Sequence, residues 1–329
     1  YSDWDGIPYS GCHYLLRELL REKYGFKGYV VSDSRAVEYI FEKHRVAEDF
    51  KDATRLAVNA GLNVWTNFNP PAAYINNVRE LVKEGKLSIT TVDDRVRDVL
   101  RVKFLVGLFD TPINKDPKRA DKIVHTSDDE KLSLQVNRES LVLLKNQNNL
   151  LPLNKNKIKN ILVTGPLAAE ERYAISRYGP SNNRVTTVLK GIQDYLGKNV
   201  NVAYEKGCEI VNRGWPDTEI ISSPLNQQEQ RDIGKAVERA RLSDVIVAVL
   251  GEDDKTVGES LSRTSLELPG RQQQLLEALY ATGKPVVLVL INGQPLTINW
   301  ANQYIPAILE AWFPGHSGGK AIAEALFGD

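Results

Sequence analysis

Methionine is absent from this sequence of 329 residues, and cysteine and histidine are rare, with two and four copies. Because there is no initiator methionine, we expect the chain to be an internal piece of a longer protein, with any signal peptide upstream. The two cysteines, Cys12 and Cys208, are far apart and lie outside any Cys-x-x-Cys motif. This spacing argues against a disulfide scaffold and against a structural zinc site.

The histidines also lack the spacing of a metal site, since none belongs to a His-Glu-x-x-His motif. They are His13, His44, His125 and His316. We expect each of them to be a surface or hydrogen-bonded side chain, so the sequence predicts no metal ligands.

The net charge is zero, because 42 lysine and arginine residues balance 42 aspartate and glutamate residues. A general nucleic-acid or anionic-membrane binder would carry a basic excess, so we expect neither partner. No apolar run approaches the roughly 18 residues that a transmembrane helix needs. The chain is 42% hydrophobic and 26% charged, which is typical of a globular protein, and its length favours two domains.

Helical and strand patterns alternate over residues 1–109, which predicts parallel βα units. The strands are predicted at 28–33 and 62–68, and the helices at 13–24, 47–60, 74–84 and 91–106. Thr91 and Asp94 have the spacing of a capping box at the start of the last helix. Residues 110–128 lack periodicity and hold two prolines, which favours a linker.

A second alternating series follows the linker and occupies residues 129–329. Its helices are predicted at 129–145, 185–196, 228–241, 270–282 and 317–327, and its strands at 160–165, 199–204, 244–251, 285–291 and 306–313. The strands are apolar throughout, which is typical of a parallel sheet covered by helices on both faces. The predicted fold class is α/β.

Parallel sheets often bind nucleotides, but the loops after these strands lack the glycine motifs G-x-G-x-x-G and G-x-x-x-x-G-K-[ST]. We therefore expect no nucleotide cofactor, and the sequence indicates no other cofactor.

Carboxylates at strand ends remain as candidates for chemistry. Asp33 ends the first predicted strand and lies among Ser32, Ser34 and Arg35. Side chains at the carboxyl end of a parallel strand face the ligand crevice, and a neighbouring cation favours the ionised carboxylate. Asp33 therefore suits a nucleophile or an electrostatic stabiliser. The other interpretation is a cap for the following helix.

The second acidic segment is the long loop 251–270, which follows a predicted strand. Its carboxylates are Glu252, Asp253, Asp254, Glu259 and Glu267. Long loops often carry function, and Gly258 lets the backbone beside Glu259 adopt unusual conformations or approach a ligand closely. Composition alone does not separate Glu259 from its neighbours.

Several motifs of the first half of the chain resemble glycoside hydrolase family 3. YGFKGYVVSDSRAV (24–37) is similar to the run around the family's catalytic aspartate, and DWDGIPYSG (3–11) to the segment upstream of it. AGLNVW (60–65) and DDRVRDVLRVKFLVGLFD (93–110) resemble the last barrel strand and the closing helix of the family's first domain.

The second half of the chain resembles the same family, with its motifs in the family's order. RESLVLLKNQNNLLPL (138–153) is similar to the entry to the second domain. GESLSRTSLELPGRQQQLLEAL (258–279) and GKPVVLVLINGQPL (283–296) resemble the part of that domain that carries the acid/base glutamate.

This resemblance implies a fold and two catalytic residues. The fold would be the C-terminal part of a (β/α)8 barrel, with about two βα units in residues 1–109, followed by an α/β sandwich that is incomplete at its C-terminus. Asp33 matches the family nucleophile. Glu259 matches the general acid/base, with Glu252 as the fallback for that role.

The implied reaction requires a particular spacing and environment for the two carboxyl groups. A retaining glycosidase needs its two carboxyl groups about 5–5.5 Å apart across the anomeric carbon. Asp33 should lie among hydrogen-bond donors so that it stays charged, and Glu259 should be partly desolvated so that it holds a proton. We therefore expect the second domain to lean over the barrel mouth, with both carboxyl groups in one interdomain cleft.

The sequence also departs from the family pattern. Many members have Trp after the nucleophile, whereas Ser34 stands there in this chain. Ser34 and Arg35, which flank the nucleophile, are candidate substrate contacts. Tyr1 and Trp4 are further candidates, and Tyr1 matches a family tyrosine near the sugar. Trp65 fits a substrate contact and a core position equally well. The residues that grip the sugar hydroxyls in the family belong to the part of the barrel upstream of this chain.

The resemblance implies a retaining, exo-acting β-glycosidase that takes a β-linked oligosaccharide or glycoside. A β-glucosidase is the first candidate and a β-xylosidase the second. A β-N-acetylglucosaminidase is disfavoured by the second domain and by Glu259. A non-catalytic sugar-binding or structural fragment is the alternative from another class, and two carboxylates in one pocket would exclude it. The family also implies a periplasmic or secreted location. For the oligomeric state, the expectation is a homodimer.

Overall fold

A computed structural model describes residues 1–68, 70–110, 116–172, 179 and 185–329. The chain divides into two compact units, Tyr1–Asp116 and Pro117–Asp329. No helix among the described residues is both long enough and apolar enough to cross a membrane.

The first unit is mainly helical, and four of its helices confirm those predicted from the periodicity, whereas the short helix Tyr39–Glu42 was not predicted. Its elements are the antiparallel pair β1 (Asp3–Trp4) and β2 (Ile7–Pro8), a π-type helix (Tyr14–Lys23), α1 (Tyr39–Glu42), α2 (Phe50–Ala60), α3 (Ala72–Lys83) and α4 (Ile89–Leu105). Helix α2 lies at the centre of the core. Its Ala53 and Ala57 are fully buried against Val37 and Ile40.

The predicted cap of α4 is wrong. Ser88 is the capping residue, since its backbone is extended and its hydroxyl accepts a hydrogen bond from the Thr90 amide at 3.2 Å. A cap must lie outside the helical conformation, whereas Thr91 is already within the helix. Its amide donates to the Ser88 carbonyl at 3.1 Å.

The two strands predicted in the first unit are reduced to an isolated parallel bridge between Val31 and Val64. Hydrogen bonds on either side extend this pairing, from the Val64 amide to the Val30 carbonyl and from the Ser32 amide to the Val64 carbonyl. Strands of a parallel sheet that are apolar throughout are covered by helices on both faces of the sheet. Here the two segments pair with each other, so the contact stays short and the barrel remains a proposal.

The stretch predicted to be a linker, residues 110–128, spans the division between the units. Residues 111–115 lie outside the described residues. The remainder contains α5 (Pro117–Ile123) and the start of α6 (Ser127–Ser140). The domain boundaries drawn from the sequence, 1–109 and 129–329, stay predictions.

The second unit is built on a mostly parallel sheet of six described strands, as the alternating pattern predicts. The strand order is β3-β8-β7-β6-β4-β5, and only the edge strand β3 runs antiparallel to its neighbour. The strands are β3 (Val142–Asn146), β4 (Asn160–Thr164), β5 (Asn201–Glu205), β6 (Val245–Gly251), β7 (Val286–Ile291) and β8 (Ala307–Glu310).

Helices cover both faces of this sheet. The helices after α6 are α7 (Val188–Leu196), α8 (Gln227–Arg241), α9 (Gln272–Tyr280), α10 (Asn299–Tyr304) and α11 (Gly318–Phe327). Alternate residues of β6 belong to two separate cores, with Val247 beside α7 and α11 and Ala248 beside α8 and α9. Because successive side chains of a strand point to opposite faces, every residue of β6 is buried. This is the α/β sandwich expected from the sequence.

The predicted helix 129–145 is too long. Helix α6 ends at Ser140, and Leu141 is extended at φ −69° and ψ 138°. The following residues form β3, which pairs with β8 from Val142 opposite Glu310 to Asn146 opposite Ala307. A short apolar run fits either a helix or a strand, and here pairing with a distant sheet edge determines which one forms.

Both cysteines are buried free thiols, Cys12 in the first unit and Cys208 in the second. Burial raises the pKa of the Cys208 thiol well above its ordinary value. A thiol in that environment stays protonated and packs as a small apolar side chain.

Candidate active site

Asp33 follows the short stretch of parallel pairing in the first unit. The Ser32 amide donates to the Val64 carbonyl at 2.9 Å, and the Ser32 hydroxyl accepts from the Thr66 amide at 2.9 Å. The Arg35 amide donates to the Thr66 carbonyl at 3.2 Å. These bonds fix the backbone on both sides of Asp33 at the carboxyl end of the pairing.

A tight turn presents the Asp33 side chain. Its backbone carbonyl accepts from the Ala36 amide at 3.1 Å, and its carboxylate accepts from the Ser34 amide at 2.6 Å. Arg35 has φ +63°, an uncommon conformation for a residue with a side chain. Asp33 is exposed, whereas Ala36 and Val37 are buried. The carboxylate is therefore accessible on an anchored backbone and accepts a hydrogen bond, as a charged nucleophile requires.

The cation next to Asp33 in sequence is paired elsewhere. The Arg35 guanidinium lies 2.6 Å from the Glu42 carboxylate on α1 and 5.3 Å from the centre of the Tyr39 ring. Arg35 is thus held along α1 by an ion pair and a ring contact. Its side chain lines the surface beside the turn.

Tyr1 contacts the Asp33 turn directly. Its hydroxyl donates to the Ser34 carbonyl at 2.6 Å, and its ring centre lies 5.3 Å from that of Tyr39. His44 Nε2 lies 3.0 Å from the Tyr1 carbonyl. Tyr1 remains more than half exposed, so a ring is available next to the turn. Trp4 lies on β1, where its ring packs 5.2 Å from that of Tyr14.

Trp65 belongs to a half-buried polar cluster around the buried Glu38, which the sequence analysis did not identify. Its indole N–H donates to Glu38 at 3.0 Å, and the Asn67 amide also donates to that carboxylate. Its ring stacks on Tyr74 with centres 5.1 Å apart. Burial raises the pKa of Tyr74 to about 12. Trp65 therefore packs with core residues and orients the Glu38 carboxylate. The one feature of the sequence that could have indicated Glu38 is that it is a single acid within an apolar run.

A second polar network lies behind the Asp33 segment. Asn63 Oδ1 accepts from the Val30 amide at 2.8 Å and from Arg21 at 2.8 Å. The Asn63 amide donates to Asp98 at 3.1 Å, and Asp98 also pairs with Arg21 and Arg101 at 3.1 and 2.9 Å. Burial acts to raise the pKa of Asp98, but its hydrogen-bond donors outweigh burial and the pKa lies below its usual value.

In the second unit, a glycine and a glutamine shape the end of β6. Gly251 has φ +137°, and a Cβ placed there would lie 1.9 Å from the Ile291 carbonyl oxygen. The fully buried Gln272 accepts from the Gly251 amide at 2.7 Å and donates to its carbonyl at 2.8 Å. These contacts fix the point where the long acidic loop leaves the sheet.

The loop itself is held by a buried ion triad. Arg263 lies 2.8 Å from Glu252 and 2.6 Å from Glu219, and all three side chains are at most 5% exposed. Glu252 also accepts from Gln294 at 2.6 Å. Arg263 donates to the Glu267 carbonyl at 2.7 Å, which ties the triad to the far end of the loop. Arg263 is thus the structural centre of the loop, within the segment 258–279 that resembles the family's acid/base region.

Glu259 lies at the exposed tip of the same loop. The Leu261 amide donates to the Gly258 carbonyl at 3.1 Å, which closes a four-residue turn with Glu259 and Ser260 at its centre. Gly258 has φ +144° and Ser260 φ +62°. The structure therefore separates the two candidate acids of this loop, with Glu252 buried and Glu259 exposed. The partial desolvation expected of Glu259 from the sequence is wrong for the structure as described, because the side chain lies at the tip of a surface turn.

The other acidic residues of the loop have local roles. Asp253 is buried, which raises its pKa, and its carboxylate accepts from the Lys255 amide at 2.9 Å. Asp254 pairs with Arg172 at 2.7 Å. Glu267 is exposed near the end of the loop.

One further pattern has the spacing of a hydrolase nucleophile elbow, G-x-S-x-G at residues 315–319. Ser317 there has φ −91° and is 9% exposed. A nucleophile elbow holds its serine exposed on a strained turn, so this segment serves as the entry to α11 instead.

Comparison with known proteins places both units in one family. Residues 1–102 match the model of the glycosyl hydrolase family 3 N terminal domain, and residues 141–329 match that of the glycosyl hydrolase family 3 C-terminal domain. The two matches together account for nearly all of the chain.

Individual relatives agree with these matches. The chain is 39% identical over 336 residues to a periplasmic beta-glucosidase of Salmonella typhimurium, covering 99% of this chain and 43% of the relative. It is 34% identical over 348 residues to a beta-xylosidase of Formosa agariphila, covering 100% and 45%. A solved β-glucosidase from Erythrobacter marinus is 36% identical, with a TM-score of 0.87 over 99% of this chain and 44% of that one. The chain spans less than half the length of these relatives.

Proposed function

Because this chain belongs to glycoside hydrolase family 3, we propose that the protein is a retaining, exo-acting β-glycosidase that releases terminal sugars from β-linked glycosides. The relatives are named β-glucosidase and β-xylosidase, so the two sugars are equal candidates. The observation that carries the proposal is Asp33. It is an exposed carboxylate on a hydrogen-bonded turn after a parallel bridge, in the segment that matches the family's N-terminal domain.

Asp33 is the proposed nucleophile. A carboxylate oxygen of Asp33 bonds to the anomeric carbon while the bond from that carbon to the leaving oxygen breaks. The leaving oxygen takes a proton from the general acid. Water then attacks the glycosyl-enzyme, gives its proton to the same residue and releases both the sugar and the Asp33 carboxylate. The Ser34 amide lies 2.6 Å from the Asp33 carboxylate and stabilises its negative charge. That charge is lost when the glycosyl-enzyme forms and is regained when water releases the sugar.

Glu259 is the proposed general acid and base. A group in that role must reach the leaving oxygen and then a water molecule, so it needs an accessible carboxyl. Glu259 lies on an exposed turn, whereas Glu252 is fully buried against Arg263 and Gln294. This contrast supports Glu259 over the fallback.

The architecture proposed for the intact protein follows the family. The first unit would complete a (β/α)8 barrel with residues from elsewhere in the protein, and loop 251–270 would close over the barrel mouth. The proposed pair requires this arrangement, because a retaining mechanism needs the two carboxyl groups about 5–5.5 Å apart. The exposed ring of Tyr1, bonded to Ser34 beside the nucleophile, is the proposed sugar contact in the first unit.

The nucleophile is tested by trapping. The intact protein is incubated with a 2-deoxy-2-fluoro-β-glucosyl fluoride and, separately, with the xylosyl analogue, and the peptides are analysed by mass spectrometry. The expected label is on Asp33, and Asp33→Asn should reduce turnover of an aryl β-glycoside by several orders of magnitude. Asp93→Asn is the matched control, since Asp93 is an exposed aspartate on α4 of the same unit.

The outcomes separate the alternatives. A label on another carboxylate would refute the role of Asp33. Binding of glucose or xylose without any turnover would favour the non-catalytic alternative. The ratio of kcat/KM for aryl β-glucoside and aryl β-xyloside assigns the sugar.

A further inference from the structure

The second unit brings together two histidines and a glutamate that have no part in the proposed reaction. Ligand atoms of His125, Glu130 and His316 all lie within 4.8 Å of one another. His316 Nε2 is 2.8 Å from one oxygen of Glu130, and His125 Nδ1 is 3.5 Å from the other. The two imidazole rings meet edge to face, with centres 5.7 Å apart. One carboxylate is therefore shared by two imidazoles that are distant in sequence.

The start of α6 fixes the first two of these side chains. Thr126 caps the helix, and its hydroxyl and Asp129 form a reciprocal capping box. His125 immediately precedes the cap with φ +59°, and Glu130 lies in the first turn of α6. The capping box thus sets the angle at which the chain enters the helix, and this angle brings His125 back over Glu130.

The third side chain comes from the segment that leads into α11. His316 Nδ1 lies 3.3 Å from the Ser133 hydroxyl on α6, and the His316 carbonyl accepts from the Thr186 amide at 2.8 Å. The Ser133 contact holds the ring so that Nε2 faces Glu130. A metal-binding histidine is normally oriented in this way, by a hydrogen bond at its other ring nitrogen.

The donor set selects the kind of metal. Two imidazole nitrogens and one carboxylate are ligands that suit zinc, whereas calcium and magnesium prefer oxygen ligands alone. Ligand atoms about 2.1 Å from a tetrahedral zinc ion are roughly 3.4 Å apart, so small side-chain rotations would close the observed spacing. The site is at the surface, since His125 and Glu130 are about half exposed, and an ion can enter without any opening of the fold.

We propose that His125, Glu130 and His316 bind one Zn²⁺ ion, with water as the fourth ligand. The ion links the start of α6, which carries His125 and Glu130, to the segment before α11, which carries His316. It takes the place of the hydrogen bond between His316 Nε2 and Glu130, and the neutral imidazole that binds it carries its one ring proton on Nδ1, facing the Ser133 hydroxyl. The site is structural and independent of the proposed glycosidase reaction.

The proposal is tested by zinc binding to the intact protein after treatment with a chelator and removal of the chelator. Titration with ZnCl₂ by calorimetry should reveal a site that is lost or weakened roughly tenfold or more in His125→Ala, in His316→Ala and in Glu130→Gln. Ser133→Ala, which removes the contact to His316 Nδ1, should weaken it less. Zinc should raise the melting temperature of the unsubstituted protein, and MgCl₂ or CaCl₂ at the same concentration should not.

His13→Ala is the matched control. His13 is an exposed imidazole that also faces a carboxylate, 3.4 Å from Glu18, but it belongs to no group of three possible ligands among the described residues. This variant should bind zinc as tightly as the unsubstituted protein. Circular dichroism of each variant without metal checks that the fold is retained, and replacement of zinc by Co²⁺ should give the visible absorption of a tetrahedral site.

Two outcomes would overturn the proposal. One is zinc affinity that is unchanged in both His125→Ala and His316→Ala. The other is a melting temperature that falls by the same amount in Glu130→Gln with and without zinc, because the cluster would then act as a hydrogen-bonded pair only.

Discussion

Replacement of Arg263 by leucine tests how the loop that carries Glu259 is held. The guanidinium is 2% exposed and pairs with Glu252 and Glu219, whose side chains are 0% and 5% exposed. Leucine fills part of the space but leaves two carboxylates buried without their cation. Removing one partner of a buried ion pair costs about 3–5 kcal/mol, because the remaining charge is desolvated without compensation. We expect a loss of that size in the free energy of unfolding at pH 7.

The assay is urea unfolding of the intact protein followed by circular dichroism. With a slope of about 2 kcal/mol per molar urea, the midpoint should fall by roughly 1.5–2.5 M. Arg172→Leu is the matched control, because Arg172 pairs with Asp254 of the same loop at 2.7 Å but its side chain is 63% exposed. A surface pair of this kind contributes about 0–1 kcal/mol. An Arg263→Leu loss no larger than that of the control would refute the structural role of the triad.

The pH dependence gives a second check on the same variant. Burial acts to raise the pKa of Glu219, but hydrogen bonds from Arg263 and Thr264 outweigh it, so the pKa lies below its usual value. A carboxyl group with a depressed pKa stabilises the fold above its unfolded-state pKa of about 4.3, and this contribution is lost as the pH falls through the folded-state pKa. The stability difference between the unsubstituted protein and Arg263→Leu should therefore narrow below about pH 4. A constant difference would contradict this origin of the effect.

Two further predictions concern the proposed acid and the network behind Asp33. Glu259→Ala should lose cellobiose hydrolysis but retain appreciable cleavage of an activated aryl β-glucoside, and azide should restore deglycosylation and yield a β-glycosyl azide. The same pattern in Glu252→Ala, with Glu259→Ala unaffected, would transfer the role to Glu252. Asp98→Ala should destabilise the protein by about 3 kcal/mol at pH 7, because it leaves Arg21 without its carboxylate. Since the pKa of Asp98 is depressed, this loss should shrink as the pH falls below about 4, and a loss that persists there would indicate packing as its cause.

Local patterns in the sequence predicted much of the second unit. Strand β6 is apolar at every position, and the structure buries each of its residues between two layers of helices. Helices α9 and α11 were predicted from their period for the same reason, since an apolar face of each must pack on the sheet. The short helix α10 was not predicted. Where an apolar run was short, as at Val142–Asn146, the period did not distinguish strand from helix, and pairing with β8 determined the result.

The candidate catalytic carboxylates were found from the sequence, but their environments were not. The sequence suggested that the nearby cation Arg35 favours the ionised form of Asp33, whereas in the structure the Arg35 guanidinium pairs with Glu42 on the following helix. Glu38 was missed altogether, because its two hydrogen-bond donors, Trp65 and Asn67, come from a segment about 30 residues away.

The sequence by itself determined the α/β class, most of the helices and strands of the second unit, and the family, because these depend on periodicity and on motifs read within short windows. Tertiary structure alone decided which acid of loop 251–270 is buried, because Glu252 meets Arg263 only when the loop folds back on itself. It also decided that two histidines 191 residues apart (316 − 125) converge on Glu130. Solvation and proximity depend on every element packed around a side chain, and no local pattern of residues encodes them.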